Sequence, residues 1–421
     1  MSSFRKPFPV KTKTACRLKW AWSTVLVNEG RTGSCHRASM SQIPLDDFGS
    51  FHNTPSKIKA REAMLRGEWP GDGCEYCRDI EDAGGYSDRQ FQLTVPNVYP
   101  RELDENPTAT HVTPAILEVF FSNTCNFKCV YCRAGLSSAI YAEEKQFGGS
   151  IGGGFSEIDA PLPPRLYEDY IPKFWEWFHD NSREIKRMQV LGGEPLLQKD
   201  FTDLLDYFDQ NPHPQLEFNI VTNLHLPEKI FNRVVDRFVE LIKRQKLKRI
   251  DIQISVDCWG PGQEYVRYGF NRVTFDNNIK TLLATKMFRI GLLSTVCSLT
   301  VNEMPFLIDK YHEWNQIDRL HWYPHLVLPH GNTLFTPTIF DYSIFEEAFE
   351  STIQKLTSNT YDEEQSLNLI TGIAAECKNL SKQDCEKQKS LLHCMEEVDR
   401  RRGVDWRSVF PWLKQELDNV V

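Results

Sequence analysis

AILEVFFSNTCNFKCVYC, residues 115–132, joins a short apolar run to three closely spaced cysteines. The run AILEVFF reads as a buried strand, and Ser122, Asn123 and Thr124 after it read as a turn. Cys125, Cys129 and Cys132 then fall within eight positions. A structural metal usually takes four ligands, so a set of three needs an explanation. On a helix, positions i, i+4 and i+7 would form one stripe, which is ordinary core for small apolar residues. The strand and turn residues ahead of the cysteines favour a loop instead. A structural zinc site is a second reading, with the fourth ligand drawn from a distant residue. The third is an iron–sulfur cluster on three thiolates, with one iron left open to an exogenous ligand.

Five further strand candidates follow: RMQVLGG, EFNIVTN, RIDIQISVD, RIGLLSTVC and RLHWYPHLVL. Between them lie YEDYIPKFWEWFHD, KDFTDLLDYFDQ, KIFNRVVDRFVELIKRQ, DNNIKTLLAT and MPFLIDKYHEWNQ, each with helical periodicity. Six βα-type units in series indicate an α/β fold with a parallel sheet, curved or closed, and helices outside. Ligands in such folds sit at the C-terminal ends of the strands, where the cysteine loop falls. EKQFGGSIGGGFSE, residues 144–157, is flexible by composition and reads as an active-site lid or a tolerated surface insertion.

The chain has 421 residues, 41% hydrophobic and 25% charged, as in soluble globular proteins. A net charge of −8 argues against a nucleic-acid surface. No apolar run approaches a bilayer span, so no membrane partner is expected. MSSFRKPFPVKTKTACRLKW lacks the apolar core of a secretory signal, which leaves a cytoplasmic location as the expectation. Twelve cysteines in such a compartment read as metal or catalytic thiolates rather than disulfides.

Cys-x3-Cys-x2-Cys with Tyr131 before the last cysteine resembles the defining motif of the radical S-adenosylmethionine enzymes. Three further stretches appear in that family's order. LGGEP, residues 191–195, is similar to the Gly-Gly-Glu-Pro motif that lines the methionine amino group, with Gly192, Gly193 and Glu194 in those places. ISVDCWGPGQEYVRYG, residues 254–269, resembles the Ser-x-Asp-Gly segment with its downstream arginine, although Cys258 replaces the glycine. By that resemblance Ser255 and Arg267 hold the ligand carboxylate, with Asp257 beside Ser255; the alternative for Arg267 is a surface ion pair with Glu264 or Asp276. VTNLH, residues 221–225, has Leu224 where the family has glycine, and Asn223 is a candidate for the ribose or the substrate. The strand RIGLLSTVC lacks the family's glycine-rich adenine-contact pattern.

The resemblance implies a partial (β/α)6 TIM-like barrel. It also implies a [4Fe-4S] cluster on Cys125, Cys129 and Cys132 that cleaves S-adenosylmethionine reductively. The 5′-deoxyadenosyl radical so formed abstracts hydrogen from a substrate, and an external donor such as flavodoxin or ferredoxin supplies the electron.

A second cysteine group precedes this core. Cys16, then Cys35 after the hairpin-like WSTVLVNEGRTGSC, then Cys74 and Cys77 in GCEYC can complete a closed four-thiolate site for zinc or iron–sulfur. The order resembles radical enzymes with a SPASM/twitch-type auxiliary domain, here N-terminal, and implies an auxiliary [4Fe-4S] cluster. Ser87 and Arg89 touch such a cluster or cap a helix. The expected organisation is an auxiliary cysteine-rich Fe–S domain at 1–95, the core at 96–335 and a helical extension at 336–421. VPNVYPRELDENPTATHVTP, residues 95–114, reads as the linker. Relatives with auxiliary clusters often modify peptides or proteins, so a peptide is the first substrate expectation. A sugar, nucleotide or other small molecule is the second, and a non-catalytic zinc-binding protein the third. Cys258, Cys297, Cys377, Cys385 and Cys394 read as unrelated to either group.

Overall fold

A computed structural model describes residues 6–35, 38–71, 73–82, 84–94, 98–151, 165–327, 334–356 and 360–418. The strands are β1 Trp22–Leu26, β2 Arg31–Gly33, β3 Ser41–Gln42, β4 Ile116–Phe120, β5 Lys128–Cys129, β6 Arg187–Val190, β7 His213–Thr222, β8 Leu247–Ser255, β9 Arg267–Tyr268, β10 Arg289–Val296 and β11 Leu320–Leu326. All six strand candidates form, as β4, β6, β7, β8, β10 and β11; Leu328, the last residue of its candidate, lies outside the described residues. They lie side by side in chain order and every neighbouring pair is parallel. Parallel pairing needs a crossover, which the helices Arg165–Asn181, Lys199–Gln210, Glu228–Lys243, Arg272–Ala284 and Met304–Asn315 supply.

Alternation along each strand separates two faces. Leu117, Val119, Met188, Val190, Phe218, Ile220, Ile250 and Ile252 share one face, are fully buried, and build the core beneath the helices. In register on the other face stand Glu118, Gln189, Asn219 and Asp251. A strand this polar on one side tolerates it only where that side meets partners or a cavity.

The hairpin expected in WSTVLVNEGRTGSC forms as antiparallel β1–β2. β1 also pairs in parallel with β4, Trp22 opposite Ile116 through Leu26 opposite Phe120, so the sheet runs on into the N-terminal region. The stretch expected to be a linker is packed instead. Tyr99, Leu103 and Val112 are buried with Phe8, Leu18, Trp20 and Met64, because these apolar side chains outweigh the four prolines around them. Its residues 95–97 lie outside the described residues. The glycine-rich loop begins later than its composition suggested. Residues 144–147 close the helix Ser138–Phe147, which Gly148 ends in the left-handed conformation at φ 77°; residues 152–157 of the loop lie outside the described residues. The tail is helical, over Ser343–Lys355, Tyr361–Leu380, Cys385–Arg402 and two shorter helices. Among the described residues no helix is long and apolar enough to cross a membrane.

Phe218 is fully buried, with Phe201 stacked at 6.1 Å and Phe208 edge-on at 5.4 Å. Phe218→Ala should cost about 3–5 kcal/mol of stability, read by urea unfolding under circular dichroism.

Candidate active site

The cysteine stretch leaves β4 as an irregular loop, and no helical stripe forms. Lys128–Cys129 is a two-residue strand paired antiparallel with β9, which sets Cys129 opposite Arg267. Local bonds hold the loop's shape. Ser138 Oγ accepts from Cys125 N at 3.1 Å, Asn123 Nδ2 donates to Ala134 O at 3.0 Å, and Ser137 Oγ donates to Phe127 O at 2.7 Å. All three cysteines are half-buried and line one cavity of about 350 Å³.

That cavity draws its walls from four strand ends. Tyr131, Gly192, Gly193, Asn223, Ser255 and Arg267 line it with the cysteines, joined by Phe127, Arg133 and Leu191, which the sequence had not singled out. Gly192 and Gly193 have φ of 86° and 58°. A Cβ would stand 2.2 Å from Phe120 Cδ1 at the first and 2.3 Å from Thr124 O at the second. Only glycines let this turn press so closely on the cysteine loop.

Glu194 and Asp257 are fully buried and stand behind the lining rather than in it. Glu194, read as an acceptor for a ligand ammonium, has both oxygens engaged. Oε1 accepts from Leu196 N at 3.1 Å and Thr222 Oγ1 at 2.7 Å, and Oε2 accepts from Asn223 N at 2.6 Å. Burial raises its pKa to about 7, against those donors. It ties the turn after β6 to the turn after β7. There Leu224, in the place of a glycine, takes φ 58° and is nonetheless buried, so apolar packing offsets a strain of about 1–2 kcal/mol.

Asp257 forms a fork with Arg267, whose Nε and Nη2 donate at 2.8 Å each. Thr295 N donates to Asp257 Oδ1 at 2.9 Å, and the Tyr131 hydroxyl donates to Oδ2. Burial opposes the charge on Arg267, but the adjacent Asp257, Tyr131 and Cys129 hold its pKa well above the ordinary value. The surface-pair alternative for Arg267 is not formed, since Glu264 pairs with Arg272 and Asp276 with Lys280 and Lys310. Burial pushes the Cys125 and Cys132 thiols up to about 12, and raises Cys129 against the pull of Arg267.

The C-terminal tail reaches this loop. Arg402 forks onto Glu143 at 3.0 and 3.1 Å and donates Nη1 to Lys128 O at 2.8 Å, while Lys128 Nζ pairs with Glu143 at 3.0 Å. A sequence separation of 259 residues hides this contact from motif reading.

Cys16, Cys35, Cys74 and Cys77 line a second, smaller cavity of about 30 Å³ together with Lys19, Trp69 and Arg89. Arg89 also donates to Glu81 and to Ala15 O, so it is a wall residue rather than a cap. Ser87 is a cap, with Oγ accepting from Gln90 N at 3.3 Å. Cys258, Cys297, Cys377 and Cys394 are buried and Cys385 exposed, apart from both cavities. Among the described residues no group of three or more His, Cys, Asp or Glu is placed to hold a single metal ion.

Residues 119–285 match the Radical SAM superfamily model. The match supports an enzyme and leaves its reaction unspecified. No curated protein matches the chain. Crystal structures of Streptococcus suis SuiB are similar at a distance. The form bound to S-adenosylmethionine shows 15% identity and a TM-score of 0.39, covering 80% of this chain and 68% of that one. The form bound to precursor peptide SuiA shows 14% identity and a TM-score of 0.38, covering 82% and 70%. At these values the likeness carries no argument about substrate.

Glu143→Ala would leave Arg402 buried without its carboxylate and should cost about 3–5 kcal/mol, seen as a lower unfolding midpoint. Glu194→Gln replaces an accepting oxygen with a donor facing Asn223 N or Thr222. A loss of about 1–3 kcal/mol is expected by the same measurement.

Proposed function

We propose that the chain is a radical S-adenosylmethionine enzyme whose parallel sheet is the curved wall of a partial (β/α)6 barrel. The observation that carries this is the single cavity in which three cysteines meet a glycine pair, an asparagine, a serine and an arginine from separate strand ends. The match over residues 119–285 supports it independently. The donor set fits a cluster, because iron–sulfur clusters are held by thiolates and three cysteines line this one cavity. Cys125, Cys129 and Cys132 would hold a [4Fe-4S] cluster and leave one iron for the cosubstrate. When bound, the cluster supplies the electron that breaks a carbon–sulfur bond of S-adenosylmethionine and starts radical chemistry.

The chain's own residues divide the remaining work. Gly192 and Gly193 bring their backbone to the cavity wall, where the methionine end would lie. Asn223 and Ser255 offer hydrogen bonds along the cavity wall. Asp257 keeps the Arg267 guanidinium fixed at the same wall. Phe120, Phe127 and Leu191 give the cavity wall apolar surface.

The N-terminal cysteines are read as ligands of an auxiliary [4Fe-4S] cluster. Four thiols around one cavity support this, and Lys19 and Arg89 in its wall suit an anionic group. A peptide is the proposed substrate, by resemblance to auxiliary-cluster enzymes, with a flavodoxin or ferredoxin as electron donor. Thiolate-held clusters of this kind suit a reducing, cytoplasmic compartment.

Anaerobic reconstitution with iron and sulfide tests the reading. Reduced protein should release 5′-deoxyadenosine and methionine from S-adenosylmethionine. Alanine at any of Cys125, Cys129 or Cys132 should abolish release. Cys74→Ala/Cys77→Ala should lower bound iron by about four atoms per chain while cleavage persists. A colourless protein that holds zinc and takes up no iron would overturn the proposal.

A further inference from the structure

Arg267 is aimed at a sulfur as well as at its carboxylate. Nε and Nη2 are committed to Asp257, and the guanidinium is thereby turned so that Nη1 donates to Cys129 Sγ at 3.9 Å. Two independent features impose this geometry. The β5–β9 ladder fixes Cys129 opposite Arg267 in the backbone. Asp257, fully buried, is itself held by Thr295 N, by the Tyr131 hydroxyl and, through its own N–H, by Gln263 Oε1 at 3.0 Å. The sequence reading gave Arg267 to a ligand carboxylate. In the structure three of its five N–H groups already have protein acceptors, and one of these is the candidate cluster ligand.

We propose that Arg267 donates a hydrogen bond to the Cys129 sulfur that raises the reduction potential of the cluster, with Asp257 as the positioning residue that aims it. This rests on the reading of the three cysteines as cluster ligands. Reduction adds one electron, and part of the added charge falls on the ligand sulfurs. A donor on one sulfur therefore stabilises the reduced state more than the oxidised one. The Asp257 carboxylate offsets the guanidinium charge, so the directional N–H···S contact carries the effect rather than the bare cation.

The test is a potentiometric titration of the full, anaerobically reconstituted chain. It follows the electron paramagnetic resonance signal that changes on adding S-adenosylmethionine. Asp257→Asn/Arg267→Gln removes one negative and one positive charge together, which leaves net charge unchanged and deletes the donor. Its midpoint should move to more negative potential, with Arg267→Lys between it and the unaltered protein. In protein carrying nitrogen-15 arginine, the reduced cluster should show nitrogen hyperfine coupling that weakens in Arg267→Lys. If the double variant binds less iron, Arg267→Lys carries both comparisons. An unchanged midpoint at equal iron content, or coupling that Arg267→Lys leaves intact, overturns the proposal. Failure of the unaltered protein to form any cluster would instead overturn the reading of the cysteines.

Discussion

A carboxylate and a guanidinium buried together beyond the end of β8 hold the candidate site in one piece. Taking each charge out of water costs several kcal/mol, repaid only by close geometry and by partners for the remaining lone pairs. Asp257 and Arg267 meet both conditions through the fork, Thr295 N and the Tyr131 hydroxyl. Those contacts reach the cysteine loop, β9 and the end of β10, and so join the small β5–β9 ladder to the main sheet. The Glu143–Arg402 pair adds a second anchor, drawing the tail onto Lys128. The loop carrying the cysteines is thus shaped by two buried ion pairs together with the short β5–β9 ladder.

Much of this was legible in the chain because it depends on local pattern. AILEVFF, EFNIVTN and RIDIQISVD are short apolar runs between helical segments, and period and length alone mark them as parallel strands. Gly192–Gly193 is legible for a different reason. Two adjacent glycines ending a strand announce a backbone approach that no side chain could share, and the Phe120 and Thr124 contacts are that approach. The partners of charged residues were not legible. Arg267 has Glu264 and Asp276 nearby in sequence and pairs with neither, because the short helix Pro261–Val266 returns the chain to Asp257. Glu194 looks like a ligand group by motif, yet its three donors are Leu196 N after β6, Thr222 Oγ1 at the end of β7 and Asn223 N just beyond it. The segment 95–114 misled for the converse reason, since four prolines said linker while Tyr99, Leu103 and Val112 found a core.

The two cysteine groups sit in unlike surroundings. The first lines an open cavity with room for a small molecule beside it, and one arginine is turned toward a sulfur. The second lines a much smaller cavity, with Cys16 buried and its thiol pushed up to about 12, burial being the largest cause and Cys35 the next. Three thiols lining a roomy cavity and four lining a tight one match the difference between an open catalytic centre and a closed, fully ligated one, as the proposed function requires.

The pairing of β1 with β4 has a mechanical consequence. β4 feeds the first cysteine loop, and β1 begins six residues after Cys16, so a continuous ladder of hydrogen bonds acts as a ruler between the two cavities. Severing the chain between the groups would do more than delete one of them. It would strip β4 of one of its two neighbours and present that edge of its backbone to solvent, the kind of bare margin along which sheets from different molecules adhere.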